Sequence, residues 1–305
     1  MKAVGVDVAK HFLQVCVEGA CLVIGNNKKE IVKFLRDLPK EYSIGVESTN
    51  SYWWKLANAA VEMGFAVYVL DPQKLKSYRG SLPGRGKTDK RDAEVIARYV
   101  EREHDKLRRY CPVPEHLRAL VSVFRRRMKV VRVKVTLSMS LSDVPELVGE
   151  RKRILAALEA TIERMDAVIA LRASQLRGYR ELMEVTCLGP VTVAGLLICL
   201  ERGEFKTADS FICFLGLDPR PNQSGEREGP RKLSKKGDPY VRAALFGAGF
   251  SASHSNLWSP VYRRYRDRGL PSTACLVILA RKLARVAWAI HHKGARFDPS
   301  IAVPT

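Results

Sequence analysis

Four carboxylates are the residues of this sequence whose types and spacing could support chemistry. Asp7 lies inside the apolar run VGVDV, and Glu47 ends a second apolar run, SIGVE. Because burying an uncompensated charge is costly, a carboxylate in such a run must be paired, hydrogen-bonded or metal-bound. Asp89 and Asp92 lie three residues apart at the start of a predicted helix, so their side chains project from one face.

If these side chains converge, they could hold two Mg²⁺ ions, because hard cations prefer oxygen ligands. Two ions about 4 Å apart would activate a nucleophile and stabilise the leaving oxygen of a phosphoryl transfer. Ordinary explanations also exist, since Asp89 could cap its helix and Asp92 could pair with a basic neighbour such as Arg91. The ordered constellation favours a metal site, with Asp7, Glu47, Asp89 and Asp92 as ligands.

The elements that must position these carboxylates follow one another in an informative order. Short β-rich runs and helical periodicities predict three strands, a helix, a strand, a helix, a strand and a further helix. Their predicted bounds are 2–8, 12–17, 21–25, 28–38, 42–48, 51–63, 65–70 and 89–103. This order is expected of an RNase H-like α/β sheet, whereas an ordinary doubly wound fold would begin with strict strand–helix alternation.

A basic stretch separates the last predicted strand from the helix that carries the two aspartates. Residues 72–88 contain two prolines and three glycines, with lysines and arginines throughout, and this composition predicts a loop. In such a loop Arg85 and Lys87 are candidates for DNA contact, although a plain solvated linker would have the same composition.

The net charge indicates a polyanionic partner. The 305-residue chain has 52 Lys and Arg against 32 Asp and Glu, a formal net charge of +20. Neutralising phosphates releases condensed counterions, so this surplus favours nucleic acid binding, although a merely basic protein would share it. The sequence has neither a signal peptide nor an apolar stretch of the ~18 residues that a membrane helix needs. We therefore expect a cytoplasmic protein that does not span a membrane.

The seven cysteines form no familiar motif. They are scattered, with no CxxC pair, and most lie in apolar runs such as LLICL and FICFLG. This distribution is typical of buried free thiols in a reducing cytoplasm. It predicts neither a disulfide framework nor a zinc site.

Two further regions follow a break at Cys111-Pro112. Residues 115–141 and 150–176 are predicted to form long basic helices, the second with apolar residues at coiled-coil-like spacing. Farther on, a Gly189-Pro190 turn opens a helix within 187–201. This arrangement is similar to a helix-hairpin-helix, whose helix N-terminus offers N–H groups to phosphate, although any helical hairpin could look so.

A loop over 218–238, a helix from 239 and a last helix over 271–292 complete the predicted elements. The chain is thus predicted to contain an α/β domain (1–110), a helical coiled-coil segment (111–177) and a mainly α-helical domain with the helix-hairpin-helix-like element (178–305).

Six motifs, taken together and in this order, resemble a known family. The chain resembles the bacterial insertion-sequence transposases that have a DEDD, RuvC-like N-terminal domain and a C-terminal serine transposase domain, related to Piv-type DNA invertases. The resemblance covers nearly the whole chain. Its motifs are GVDVAKHFLQVCV (5–17), GVEST (45–49), KTDKRDAEVIA (87–97), CLGPVTVAGLL (187–197), FLGLDPRPNQSG (214–225) and KLSKKGDPYVRAAL (232–245).

The resemblance implies DNA cleavage and strand exchange on donor and target DNA, directed by a structured RNA that the element encodes. It implies that the helical middle mediates contacts between subunits of a dimer or tetramer, and that the protein associates with the bacterial nucleoid when it acts. It also implies a serine nucleophile in the C-terminal domain, beside the metal-bound carboxylates.

Two serines compete for the nucleophilic role. Ser224 precedes a glycine in the predicted loop, where its hydroxyl would be exposed, and we favour it for that reason. Ser234 lies within a basic segment that better suits phosphate binding. The basic residues of this segment, Arg231, Lys232, Lys235 and Lys236, are predicted to contact nucleic acid.

Two other functions remain compatible with the sequence. A metal-dependent nuclease of the junction-resolvase kind would use the same carboxylates but water as nucleophile, so it would form no covalent adduct with DNA. A non-catalytic nucleic-acid-binding protein would depend on its charge alone and would be indifferent to Mg²⁺.

Overall fold

The computed structural model describes residues 1–48, 52–82, 88–224, 227–294 and 296–302. The chain divides into two compact units, Met1–Pro112 and Val113–Thr305. The division into three domains stays a prediction.

The first unit is built on a five-stranded mixed sheet. Its strands are β1 (Ala3–Val8), β2 (Phe12–Val17), β3 (Ala20–Gly25), β4 (Ser43–Glu47) and β5 (Ala66–Leu70), in the order β3-β2-β1-β4-β5. The first three strands pair antiparallel, and β4 and β5 continue the sheet parallel to β1. The predicted strand order along the chain is therefore confirmed.

Helices cover both faces of this sheet. They are α1 (Lys28–Asp37), α2 (Trp54–Glu62), α3 (Pro72–Gly80) and α4 (Asp89–Glu103), followed by a short 3₁₀ turn, His104–Lys106. Even-numbered residues of β1 such as Val6 pack with α1 and α2, whereas odd-numbered Ala3 packs with α3 and α4. The alternation of side chains along a strand produces these two cores.

The predicted loop over 72–88 is wrong in its first half, because residues 72–80 form α3. Three signals start this helix: Asp71 accepts a hydrogen bond from the Gln73 N–H (2.9 Å), Pro72 occupies the first turn, and Leu75 is fully buried. The basic composition concealed a capped helix. Arg85 and Lys87 lie outside the described residues.

The second unit begins with two long helices, α5 (Glu115–Ser140) and α6 (Val148–Ala173). They pack antiparallel, as ion pairs join Arg127 to Asp166 (2.7 Å) and Lys134 to Glu159. Both predicted helices are therefore confirmed, and part of the basic charge of α5 is used to hold the pair together.

Apart from the short last helix, Pro299–Ala302, the remaining helices of this unit share one core with the start of α5 and the end of α6, and this core encloses the fully buried Trp258. In the described part of the chain no helix is long and apolar enough to cross a bilayer. The helices are α7 (Tyr179–Met183), α8 (Pro190–Leu200), α9 (Ala208–Leu215), α10 (Pro239–His254), α11 (Ser259–Asp267), α12 (Ser272–Lys293) and α13 (Pro299–Ala302).

The predicted loop over 218–238 is wrong, because most of it forms a β-hairpin. The strands β6 (Pro219–Ser224) and β7 (Arg227–Leu233) pair antiparallel. Three prolines in this segment argued against strands, since proline cannot donate to a sheet ladder. A two-stranded ribbon has only edge strands, so prolines are tolerated where their nitrogen faces away from the partner.

Candidate carboxylate active site and basic hairpin

Two glycines allow α4 to lie directly on the sheet. A Cβ at Gly5 would lie 1.9 Å from the Ala93 carbonyl oxygen and 2.4 Å from the Ala97 nitrogen. At Gly45 it would lie 2.6 Å from a Val100 methyl carbon. Any larger residue on β1 or β4 at these positions would push the helix away.

The same two strands carry the first two carboxylates. Gly5 and Gly45 are register partners on the parallel strands β1 and β4. Asp7 and Glu47 follow two residues after each glycine, so both side chains lie on the α4 face at the same end of the strands. The repeated Gly-x-acid spacing is the sequence signal for this arrangement.

The start of α4 supplies the other two carboxylates. Thr88 caps the helix by accepting a hydrogen bond from the Arg91 N–H (3.3 Å), so the explanation of Asp89 as the cap is wrong. Asp89 is exposed, whereas Asp92 is buried, with 4% of its surface accessible. The helix therefore directs Asp92 towards the sheet and leaves Asp89 exposed to solvent.

The four carboxylates form one electrostatic cluster. Burial raises the pKa of Asp7 above its usual range, and the charges of Asp92, Asp89 and Glu47 raise it further. The Val8 N–H donates to Asp7 Oδ1 at 3.0 Å and opposes this shift. All four residues that the sequence singled out therefore lie close enough for the other three to raise the pKa of Asp7.

Arg79 of α3 is the residue of this site that the sequence analysis missed. Its Nε lies 3.1 Å from Asp92 Oδ1, and both side chains are largely buried. Asp92 thus pairs with a residue of another helix and not with an adjacent one in sequence. Recognising the Asp71-Pro72 helix start would have placed Arg79 on an ordered element.

The cluster fits a divalent metal ion in its donor chemistry. It offers carboxylate oxygens, which Mg²⁺ prefers, and the mutual repulsion that raises the pKa of Asp7 would be relieved by a cation. Within the described residues, no three of these carboxylates have oxygens that all lie within 4.8 Å of one another. Binding one ion by three of them therefore requires side-chain rotation.

The second unit presents a hairpin with the two candidate serines at opposite ends. Ser234 follows β7, and its hydroxyl donates to the Asp218 carboxylate while its N–H donates to the Asp218 carbonyl at 3.0 Å. Ser224 ends β6 and is the register partner of Arg227, the first residue of β7. Six residue steps along β6 separate Ser224 from Asp218, the partner of Ser234, which is roughly 20 Å. The side chain of Ser224 lies outside the described residues.

The base of this hairpin is a close backbone contact. Gly216 has φ +70°, and a Cβ on it would lie 2.5 Å from the Gly237 nitrogen. Arg242 Nη1 donates to the Gly237 carbonyl at 2.6 Å. This packing holds the neighbouring segment in place, and its basic side chains are exposed: Arg231, Lys232, Lys235 and Lys236.

Comparison with known proteins agrees with these features. A family model described as "Transposase", of the DEDD type of IS110, matches residues 4–148, which include all four carboxylates. A second model, "Transposase IS116/IS110/IS902 family", matches residues 179–265, which include the hairpin. The α/β unit with its acidic cluster and the basic helical unit therefore make up a transposase, an enzyme of DNA recombination. The chain belongs to the IS110/IS116 family.

Relatives match over nearly their whole length. The chain is 26% identical to a "Probable family 20 transposase" of Pseudomonas aeruginosa, over 98% of this chain and 99% of the relative. It is 24% identical to the "Pilin gene-inverting protein" of Moraxella lacunata, over 98% of both chains. A protein of the same description from Moraxella bovis is also 24% identical, with the same coverage.

Proposed function

We propose that this transposase cleaves and exchanges DNA strands by Mg²⁺-dependent phosphoryl transfer at the cluster formed by Asp7, Glu47, Asp89 and Asp92. The first unit would then be an RNase H-like, RuvC-like domain, an assignment supported by its strand order and by the position of the acids at the strand ends. The observation that carries the proposal is Asp7, a half-buried carboxylate with three acidic neighbours.

The four carboxylates differ in what they can contribute. Asp7 and Glu47 are held by the strands, so they supply the rigid part of the ligand set. Asp92 is fixed by burial and by Arg79. Asp89 is exposed, so it would hold a metal ion on the side from which the DNA approaches. Two Mg²⁺ ions, when bound, would polarise the phosphoryl oxygens and stabilise the developing charge on the leaving oxygen.

We propose Ser224 as the nucleophile. Its oxygen would attack phosphorus, the phosphorus–deoxyribose oxygen bond would break, and the serine proton would pass to a base or to solvent. Two observations support this choice over Ser234: Ser224 is the last residue of β6, and the Ser234 hydroxyl is already bound to Asp218, which suits a structural role.

The exposed residues Arg231, Lys232, Lys235 and Lys236 would bind phosphates of donor and target DNA or of an element-encoded guide RNA. The net charge of +20 supports a polyanionic partner of either kind. Arg85 and Lys87 of the first unit would also contact nucleic acid. The protein would act at the nucleoid in the bacterial cytoplasm, where its DNA substrate is found.

We further propose a dimer or tetramer that assembles through α5 and α6. Apolar side chains exposed on this helix pair support the proposal: Val133, Val135, Met139, Val168 and Leu171. Sedimentation of the wild-type chain and of a variant with Met139→Glu and Leu171→Glu tests this proposal. If subunits associate through these apolar side chains, the introduced charges should make the variant monomeric.

The decisive experiment combines metal dependence with adduct formation. Purified protein, DNA carrying the ends of the element and the adjacent structured RNA are incubated with Mg²⁺ or with chelator. We expect cleavage only with Mg²⁺, and a loss of at least about 100-fold for Asp7→Asn and Asp92→Asn, because bound metals stabilise the transition state by several kcal/mol.

The serine variants then separate the two chemical mechanisms. A protein–DNA adduct stable to denaturant should form with the wild type and with Ser234→Ala but not with Ser224→Ala. An adduct that persists in Ser224→Ala and is lost in Ser234→Ala would exchange the two roles. Mg²⁺-dependent cleavage without an adduct in any variant would identify water as the nucleophile, as in a junction resolvase. Omitting the RNA tests guidance in the same assay.

A further inference from the structure

Two thiols face each other on the hairpin formed by β2 and β3. The turn residues Glu18 (φ +48°) and Gly19 (φ +85°) are both left-handed, which gives a tight two-residue connection. This turn fixes the register, so that Cys16 and Cys21 become cross-strand partners. Their side chains therefore lie on one face of the sheet, although four residues separate them in sequence.

Helix α4 brings a carboxylate to this pair of thiols. Gly5 of β1 is the register partner of Cys16, and it is also the point where α4 approaches the sheet through Ala93. The next residue of the helix, Glu94, consequently faces the thiols. The two sulfur atoms and a Glu94 carboxylate oxygen all lie within 4.8 Å of one another.

We propose that Cys16, Cys21 and Glu94 form a binding site for Zn²⁺, with a water molecule as the fourth ligand. Thiolate sulfur and carboxylate oxygen are both zinc ligands, and two sulfurs with one oxygen suit zinc far better than Mg²⁺. Zn–S bonds of about 2.3 Å in a tetrahedron place two sulfurs roughly 3.8 Å apart. The observed spacing therefore allows coordination after side-chain rotation alone.

In the absence of a metal ion, the surroundings of the thiols keep Cys16 protonated. Burial, a hydrogen bond with Cys21 and the charge of Glu94 raise the pKa of Cys16 to about 12. On binding, each thiol loses its proton to solvent and donates a sulfur electron pair, so two protons are released for each ion. Affinity should therefore rise with pH.

The proposed zinc site is distinct from the acidic cluster. Gln14, two residues before Cys16 on β2, is the register partner of Asp7. The thiols therefore lie on the same face of the sheet as Asp7 but on the strands β2 and β3, whereas Asp7 lies on β1. Both sites use α4, however. An ion at the thiols would tie the β2–β3 hairpin to the helix that carries Asp89 and Asp92, and would stabilise that helix against local unfolding.

The site can be tested by metal binding alone, without DNA or RNA. The full chain is reduced, stripped with chelator and titrated with Co²⁺, which gives a near-ultraviolet thiolate-to-cobalt charge-transfer band, and bound Co²⁺ is then displaced with Zn²⁺. We expect one equivalent of Zn²⁺, two protons released, and affinity lowered at least about 100-fold in Cys21→Ser and about 10-fold or more in Glu94→Gln.

Cys111→Ser and Glu103→Gln are matched controls, because Cys111 is exposed in the same unit and Glu103 lies near the end of the same helix. Both should bind like the wild type, and the far-ultraviolet circular dichroism of all variants should be the same. No charge-transfer band in the wild type would overturn the proposal. A band that survives Cys21→Ser would also overturn it. Zinc binding that is lost in Asp7→Asn but kept in Cys21→Ser would place the ion at the carboxylates and would overturn it as well.

Discussion

Replacing Gly5 by alanine tests whether the approach of α4 to the sheet builds the acidic cluster. The added Cβ would lie 1.9 Å from the Ala93 carbonyl oxygen, and both atoms belong to or adjoin the backbone, so neither can rotate away. To reach an ordinary contact of about 3.4 Å, α4 and β1 must separate by about 1.5 Å. Overpacking of this kind costs about 1–3 kcal/mol.

Two measurements should respond to this change. Hydrogen exchange of a peptide that covers 89–103 should quicken by about 5- to 150-fold, which corresponds to the same 1–3 kcal/mol. DNA cleavage should fall by about 100-fold, because a misplacement of about 1 Å is enough for such a loss.

Gly80→Ala is the matched control, since no atom lies within 4 Å of a Cβ at that position, and Gly80 is not among the glycines with positive φ. It should leave both measurements within about twofold of the wild type. If Gly5→Ala shows the same hydrogen exchange rate and the same cleavage rate as Gly80→Ala, the close contact does not position the cluster.

Three further changes follow from the contacts of the two sites. The pKa of Asp7 is raised above 3.8, so without Mg²⁺ its contribution to stability is present at low pH and is lost as pH rises through the raised pKa. At neutral pH the ionised carboxylate therefore destabilises the fold, and Asp7→Asn should raise the melting temperature in chelator by about 1–3 °C. Arg79→Gln should destabilise the first unit by about 1–3 kcal/mol in chelator, because Asp92 stays buried, and Mg²⁺ should recover part of this loss. Ser234→Ala should cost about 1 kcal/mol, measured by urea unfolding, because Asp218 loses its hydroxyl partner.

Each of these outcomes has a contrary result. An Asp7→Asn variant whose melting temperature follows pH as the wild type does would mean that this carboxylate is not strained. Arg98→Gln removes an exposed arginine of α4 and should leave stability unchanged. An equal loss of stability in both arginine variants would therefore mean that the Arg79–Asp92 pair has no special role. Unchanged unfolding of Ser234→Ala would remove the argument for its structural role.

Much of the first unit could be predicted because its signals are local. Strand runs, the helix periodicity of α4 and the acids in apolar runs are all properties of short segments, and the structure agrees with the predicted order of elements. The two loop predictions, over 72–88 and 218–238, were wrong because they rested on composition alone. In α3 and in the β6–β7 hairpin, basic or proline-rich composition outweighed the start signal at Asp71-Pro72 and the long-range pairing of the strands.

The residues alone determined that four carboxylates, a large positive charge and two candidate serines occur in one chain, because these are matters of residue type and of spacing along the chain. The tertiary structure decided which groups meet. Arg79 reaches Asp92, and Glu94 reaches the paired thiols of Cys16 and Cys21, only because Gly5 lets α4 lie against the sheet. Contacts of this kind depend on distances between backbones, and those distances are set by packing of the whole unit.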